Sequence, residues 1–208
     1  NTFATPLNFR PLDHGYDFCL HSATKYLNGH SDIVAGAVIG KKPLVEKSLH
    51  RLNHLGGSLD PHACFLLHRG LKTLSLRMER QNLNALRLAT FLNSHSSVHK
   101  VNYPGLPDHP DHQRAKTLFN GFGGVLSFEL AAALSAQSLL QRLQLPVSAP
   151  SLGGVETLVT LPSTSSHSGI PREERLQMGI SDSLIRVAVG IEHPDDLIED
   201  FQQALGNL

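Results

Sequence analysis

An α/β fold is what this sequence predicts, on three observations. Apolar runs of strand length alternate with amphipathic helical patterns, and the loops between them are short. The C-terminal half carries strand-like runs at 98–103, 125–130 and 184–189, each separated from the next by helical pattern. Nearer the start, one lysine, Lys25, stands behind Ser22-Ala23-Thr24 and ahead of the turn dipeptide Asn28-Gly29, with an apolar run at 33–39 after it.

Taken in order, residues 1–7 read as the exit of a strand into a loop, which Pro11 and Gly15 continue. Phe18-Cys19-Leu20-His21-Ser22 reads as a buried strand delivering Lys25 at its end. The run 33–39 is β-branched and apolar on both faces, as in a strand covered on both sides, and Lys41-Lys42-Pro43 ends it. A helix is expected over 44–52, broken by Gly56-Gly57-Ser58. Asp60 then serves as N-cap with Pro61 at the first helical position. From there one long helix runs to about Asn93, on a stripe of Leu67, Leu71, Leu74 and Met78, with Gly70 inside it at a cost in propensity. This helix could bridge two domains, 1–93 and 94–208.

After 98–103, Pro104-Gly105 is a turn and Pro110 opens a helix through Phe119. Gly123-Gly124 precedes the strand at 125–130, and 135–143 is helical. Residues 147–162 hold a Gly-rich loop and a short strand; 171–178 is a short helix closed by Gly179. The strand 184–189 follows. Pro194 opens the last helix, whose first-turn Asp195 and Asp196 suit the positive end of its dipole.

Composition narrows the function. The 208 residues are 40% hydrophobic and 17% charged, enough to bury a core and form one or two domains. Lys+Arg and Asp+Glu balance at 18 each. With no basic patch, nucleic acid and anionic membrane are poor partners. No apolar run reaches spanning length and no signal pattern opens the chain, so a cytoplasmic protein is expected. The first residue, Asn1, is not Met, which reads as a processed or partial product. Cys19 and Cys64 are expected to be reduced, buried thiols. His109 and His112 flank Pro110 in a helix start, and the 13 histidines show no spacing that builds a metal site.

Three features can carry chemistry. Lys25 is placed to be buried at a strand end, where a lowered pKa makes an amine nucleophilic or lets it hold a cofactor aldehyde. Ser22 and Thr24, at i and i+2 of an extended segment, can offer hydroxyls to a phosphate from one face. A surface lysine is the plain alternative. Ser151-Leu152-Gly153-Gly154 lets backbone approach a ligand, or is a simple turn. Arg186 is alone in the apolar run 184–190. Its fork suits a carboxylate, unless it makes a structural ion pair or points to water from an edge strand. His167 lies in a polar loop, as site residue or exposed loop.

In order along the chain, Asn1-Thr2-Phe3-Ala4-Thr5-Pro6, the stretch Ser22 to Asp32, Arg69-Gly70-Leu71-Lys72-Thr73-Leu74, Ser151-Leu152-Gly153-Gly154-Val155-Glu156-Thr157 and Gly179 to Arg186 together resemble the Cys/Met-metabolism enzymes that use pyridoxal phosphate. That family includes cystathionine γ-lyase, γ-synthase and β-lyase, methionine γ-lyase and the homoserine-ester sulfhydrylases. The resemblance covers essentially the whole chain. It implies the aspartate-aminotransferase fold, fold type I, in part: the end of the large cofactor domain over 1–93 and the small C-terminal α/β domain over 94–208. It implies pyridoxal 5'-phosphate as cofactor, joined as a Schiff base to Lys25, with Ser22 and Thr24 on its phosphate. Arg186 is implied to bind the α-carboxylate of a small amino-acid substrate, assisted by Ser151, and Ser166 aligns with a hydroxyl position near the site. A homotetramer built from active dimers is also implied.

Family members are roughly twice this long. The aspartate that pairs with the pyridine nitrogen, the Gly-Met phosphate loop, the stacking tyrosine, and a tyrosine and arginine lent by a neighbouring subunit are all implied to lie outside these residues. The chain thus reads as the C-terminal half of a transsulfuration enzyme of the cystathionine γ-lyase or γ-synthase type, inactive alone, with methionine γ-lyase, cystathionine β-lyase and the homoserine-ester sulfhydrylases as alternatives. Pro150, before Ser151, stands where many γ-lyases of the family carry an acid, which counts against a γ-lyase. A fragment that only packs or dimerises, and a small binding module, are the other readings. The segment 18–40 is expected to expose apolar strand edges, and the region from Ser94 to be the better-formed unit.

Overall fold

The computed structural model describes residues 1–131, 134–206 and 208. Residues 1–7 do not leave a strand. They enter a short helix, α1 (Thr5–Asn8), and a 3-10 turn follows at Pro11–His14. Strand β1 (Phe18–Ser22) pairs antiparallel with β2 (Gly36–Gly40) as a two-stranded sheet. The run at 33–39 becomes strand only in its second half, because Thr24 and Ala35 close the intervening turn first. Thr24 N donates to Ala35 O at 3.1 Å, and Ala35 N donates to Thr24 Oγ1 at 2.9 Å. Nor is the pair covered on both sides: Leu20, Val34, Val38 and Ile39 are all exposed in this chain.

Helix α2 (Lys42–Leu55) ends at Gly56, and α3 (Pro61–Leu71) starts as its sequence dictates. The Asp60 carboxylate accepts from the amides of His62 and Ala63 at 2.9 and 3.0 Å. The single long helix to Asn93 is, however, two. The chain breaks at Lys72-Thr73 and resumes as α4 (Leu74–Asn93). Two contacts set the break. Arg77 Nη2 takes the Gly70 carbonyl at 2.9 Å and Arg77 Nε donates to Thr73 Oγ1 at 3.1 Å. Gly70 itself lies on the Asn28 carbonyl, where a β-carbon would collide with backbone. The break turns Leu71 out to solvent, so the stripe that includes Leu74 and Met78 does not extend through it.

The rest of the chain is β3 (Val98–Asn102), α5 (His112–Leu118), β4 (Val125–Leu130), α6 (Ala136–Arg142), β5 (Val147–Ser148), β6 (Leu158–Thr160), α7 (Arg172–Gln177), β7 (Leu184–Ala188) and α8 (Pro194–Gly206). Helix α5 begins after Asp111, not at Pro110. His112 has a structural task, with Nδ1 2.9 Å from Pro104 O and its ring stacked on Phe122. The strands form a five-stranded sheet in the order β3-β4-β7-β6-β5, antiparallel except for the β5–β6 pair.

Alternation divides the sheet's two faces. Leu126, Phe128, Val159, Ile185 and Val187 turn into the main core, with Ala85, Leu88 and Leu92 of α4 and Leu197, Phe201 and Leu205 of α8. The opposite face carries Arg186. On that side a second cluster joins Ala23, Tyr26, Leu27, Leu152, Leu158 and Ala188 to Leu74 and Met78. Helix α4 thus belongs to both clusters. Cys19 is buried, whereas Cys64 is exposed, against the expectation for it; both are free thiols. No helix among the described residues is long and apolar enough to cross a membrane.

Two outcomes follow. Gly70→Ala should lose about 2 kcal/mol, since a methyl on the Asn28 carbonyl cannot be relieved without backbone movement. Gly169→Ala, in open space, should stay within about 0.5 kcal/mol; urea unfolding reads both. His21 is the second case. Burial first, then the chain's N-terminal ammonium, lower its pKa from the ordinary 6.5. The unfolded chain therefore binds the proton more readily, and stability falls as pH drops below about 6.5 towards the depressed folded value. Melting curves across that window should show the fall, and His21→Asn should flatten it.

Candidate active site

The site is built where the β1 end, the loop after β5 and the middle of β7 converge. Beyond Ser22 the chain folds into a compact turn, with Lys25 N bonded to Ser22 O at 3.2 Å and Gly29 N to Lys25 O at 2.8 Å. Tyr26, 1% exposed, and Leu27 anchor this turn in the second cluster. Anchoring its neighbours leaves Lys25 half-buried, with Nζ 2.8 Å from Ser151 Oγ.

Arg186 reaches the same residue from the other side. On β7 it lies in register with Ser127 of β4 and Thr160 of β6, so it is on an interior strand, not an edge. Its Nη2 donates to Pro150 O at 2.8 Å and to Ser151 O at 2.9 Å. No carboxylate pairs with it among the described residues, and its buried Nε has no partner. Burial lowers its pKa; the nearby Tyr26 opposes that shift. Neither the ion-pair reading nor the edge-strand reading of Arg186 survives. It is a part-buried guanidinium held by neutral carbonyls, with donor capacity left over.

Ser151 is therefore the junction, with its hydroxyl on the lysine and its carbonyl on the arginine. Gly153 makes the junction possible. Its φ is +80°, and a β-carbon there would stand 2.6 Å from Tyr26 N. Gln81 Nε2 of α4 holds the following turn through Gly154 O at 2.8 Å. Ser31 Oγ ties the lysine turn to the same loop by donating to Glu156 Oε1 at 2.8 Å. A cleft of about 630 Å³ opens beside the junction, with Thr24, Ser31, Asp32, Ser151 and Glu156 in its wall; Lys25 and Arg186 do not line it.

The other expected residues differ in what they can do. Thr24 faces this cleft, but it lies past the strand end, so strand alternation does not pair it with Ser22; its hydroxyl is shared with the Ala35 backbone. The Ser22 hydroxyl has no partner among the described residues, and its amide donates to Thr2 Oγ1 at 2.8 Å. Ser166 is not joined to the group: it is exposed, and its Oγ lies 2.8 Å from His167 Nδ1.

Sequence reasoning missed the support from α4. Arg77, 3% exposed, binds Tyr26 O at 2.8 Å beneath the lysine turn. Asn84 Nδ2 holds Gly190 O and Glu192 O at 3.1 and 2.9 Å, just past β7. Arg77, Gln81 and Asn84 thus fasten three chain segments to one helix. A signal existed: Gln81 interrupts the apolar series Leu74, Met78, Ala85, Leu88, Leu92 on the buried face.

Comparison with known proteins places this geometry. The family model described as Cys/Met metabolism PLP-dependent enzyme matches residues 1–206. Cystathionine gamma-lyase of Bacillus subtilis is 48% identical over 100% of this chain and 55% of its own length. Cystathionine beta-lyase of the same organism is 48% identical over 99% and 53%. The crystal structure of cystathionine gamma synthase from Xanthomonas oryzae pv. oryzae in complex with cystathionine superimposes with a TM-score of 0.94 at 41% identity, over 99% of this chain and 54% of that one. The chain spans about half the length of the curated relatives it matches.

Ser151→Ala tests the junction. Removing the acceptor of the Lys25 hydrogen bond forfeits about 1 kcal/mol, so Lys25 should be acylated by an amine reagent about fivefold faster. Peptide mass mapping reads the rate at Lys25 alone; an unchanged rate would mean that Ser151 does not hold the amine.

Proposed function

This chain belongs to the family of Cys/Met-metabolism PLP-dependent enzymes, and from that premise we propose that it carries the cofactor lysine and the carboxylate-binding arginine of a transsulfuration enzyme. The reaction is elimination or replacement at the Cγ–S/O or Cβ–S bond of a sulfur amino acid. One observation carries the reading: Ser151 accepts from both residues, from Lys25 Nζ on its hydroxyl at 2.8 Å and from Arg186 Nη2 on its carbonyl at 2.9 Å. The residues fit pyridoxal 5'-phosphate. Lys25 Nζ rests on a single hydroxyl, Ser22 has a hydroxyl free to donate, and Thr24 and Ser151 line an adjoining cleft of about 630 Å³.

Arg186 binds the α-carboxylate. Pro150 and Ser151 carbonyls occupy Nη2, so the remaining guanidinium donors, including the unpartnered Nε, seek an acceptor. Fixing the carboxylate orients the Cα–H bond. Lys25 Nζ would take that proton and return it further along the chain, with Ser151 Oγ steadying the amine between transfers. When bound, pyridoxal phosphate supplies the sink for the electrons left on Cα. Lyase and synthase then differ in whether water or an incoming thiol completes the turnover. Pro150 beside Ser151 offers no acid there, which weakens the γ-lyase reading without separating it from γ-synthase. A homo-oligomer belongs to the same reading, supported by the apolar Leu20, Val34 and Val38 left uncovered on the hairpin.

The rival reading, a chain that only packs or dimerises, is favoured by that uncovered hairpin alone. Mixing the chain with pyridoxal phosphate, reducing with borohydride and mapping the peptides separates the two. The expected result is visible absorbance on mixing and a cofactor adduct on Lys25, both lost in Lys25→Ala. Absorbance that survives Lys25→Ala, or no uptake at all, would sink the proposal. Arg186→Ala should keep the adduct but weaken amino-acid binding about 30-fold, from about 2 kcal/mol of lost charge-assisted bonding. Product analysis of the full-length enzyme with cystathionine, methionine and a homoserine ester then selects the reaction.

A further inference from the structure

A buried guanidinium without an anion is an unusual thing to leave in a fold, since a charge taken out of water needs a counter-charge. Arg77 is 3% exposed, and every acceptor it meets is neutral: Tyr26 O, Leu27 O, Gly70 O and Thr73 Oγ1. It lines a cleft of about 480 Å³ with His30, Thr73, Arg80 and His193. A second cleft of about 300 Å³ shares His30 and Thr73 and adds Arg69. Neither Arg69 nor Arg80 has a partner among the described residues.

The carboxylates nearby are already engaged. Asp32, the one acid in these walls, accepts from Asn28 Nδ2 at 2.7 Å. Glu156 accepts from Ser31 Oγ at 2.8 Å, and Glu192 binds the Thr157 amide and hydroxyl at 2.5 and 2.8 Å. Asp195 lies 3.8 Å from His193 Nδ1 but is held by Arg87 at 2.5 Å. Three guanidiniums and two imidazoles thus line two clefts that share His30 and Thr73, with Asp32 the one carboxylate in their walls. Lys25, Ser151 and Arg186 line neither cleft.

We propose that these two clefts, walled by Arg69, Arg77, Arg80, His30 and His193, form a binding site for a small phosphate-type dianion. Arg80 and His193 line one cleft and Arg69 the other, with His30 in both, so donors come from several residues, which suits a tetrahedral anion with oxygens in several directions. The room beyond one phosphate admits a phosphate monoester. The site goes beyond the Lys25 reading and does not need it.

The test is titration of the chain with inorganic phosphate, followed through the imidazole NMR signals of His30 and His193. Sodium chloride at equal ionic strength controls for screening. Saturable shifts with a midpoint of about a millimolar are expected. Arg69→Ala with Arg80→Ala, both exposed, should raise that midpoint at least about tenfold. Glycerol phosphate binding more tightly than inorganic phosphate assigns a phosphate ester; the reverse assigns the free ion. Shifts that chloride reproduces, or a double variant that binds as the parent does, would overturn the site. Equal binding by succinate would overturn its tetrahedral character.

Discussion

The candidate site is built on one residue held between two cationic side chains. Ser151 gives its hydroxyl to Lys25 and its carbonyl to Arg186. The lysine comes from the end of a hairpin strand and the arginine from the middle of a separate five-stranded sheet. A loop must therefore pass close against the Lys25–Tyr26 peptide and still present a carbonyl backwards to β7. Only a residue without a side chain, in a left-handed conformation, allows that approach, and Gly153 at φ +80° is that residue.

The junction is kept in place by α4, which works through polar groups as much as apolar ones. Arg77 grips the lysine turn, Gln81 the Gly153-Gly154 turn and Asn84 the exit of β7. Buried polar side chains fix geometry more sharply than apolar contact does, because their hydrogen bonds are directional and costly to leave unmade. The set is not fully satisfied: Gln81 Oε1 and Asn84 Oδ1 have no partner among the described residues. Apolar residues of the same helix meanwhile serve both clusters, Met78 on the site side and Leu88 and Leu92 in the main core. One rigid element thus registers the lysine against the arginine. The same arrangement leaves Arg77 without an anion.

Much of the fold was legible in the sequence, and the misreadings share a cause. The strand at 125–130 was readable because Leu126, Phe128 and Leu130 alternate with half-buried residues, a period that survives any packing. The Asp60-Pro61 start was readable because a cap is a local bond. The run at 33–39 misled because apolar character says that a residue can be buried, not that something covers it. The long helix misled because its break is made by Arg77 and Asn28, whose contacts with Gly70 and Thr73 come from tertiary packing. Cys64 was expected inside on residue type alone and lies on an exposed face.

Sequence alone was enough for the α/β class, the order of most elements, and the choice of Lys25, Ser151 and Arg186 as candidates, because these rest on local periodicity, local caps and ordered motifs. It could not say that Lys25 and Arg186 meet on the same serine. Their partners are 126 and 35 residues away along the chain, and such separations are closed only by packing. Tertiary structure decided which hydroxyl is free, Ser22, and which is spent on backbone, Thr24. It left Ser166 facing His167 instead of the site. The physical reason is the same in each case: a side chain's type fixes what it can bond, and only the folded chain fixes what comes within 3 Å of it.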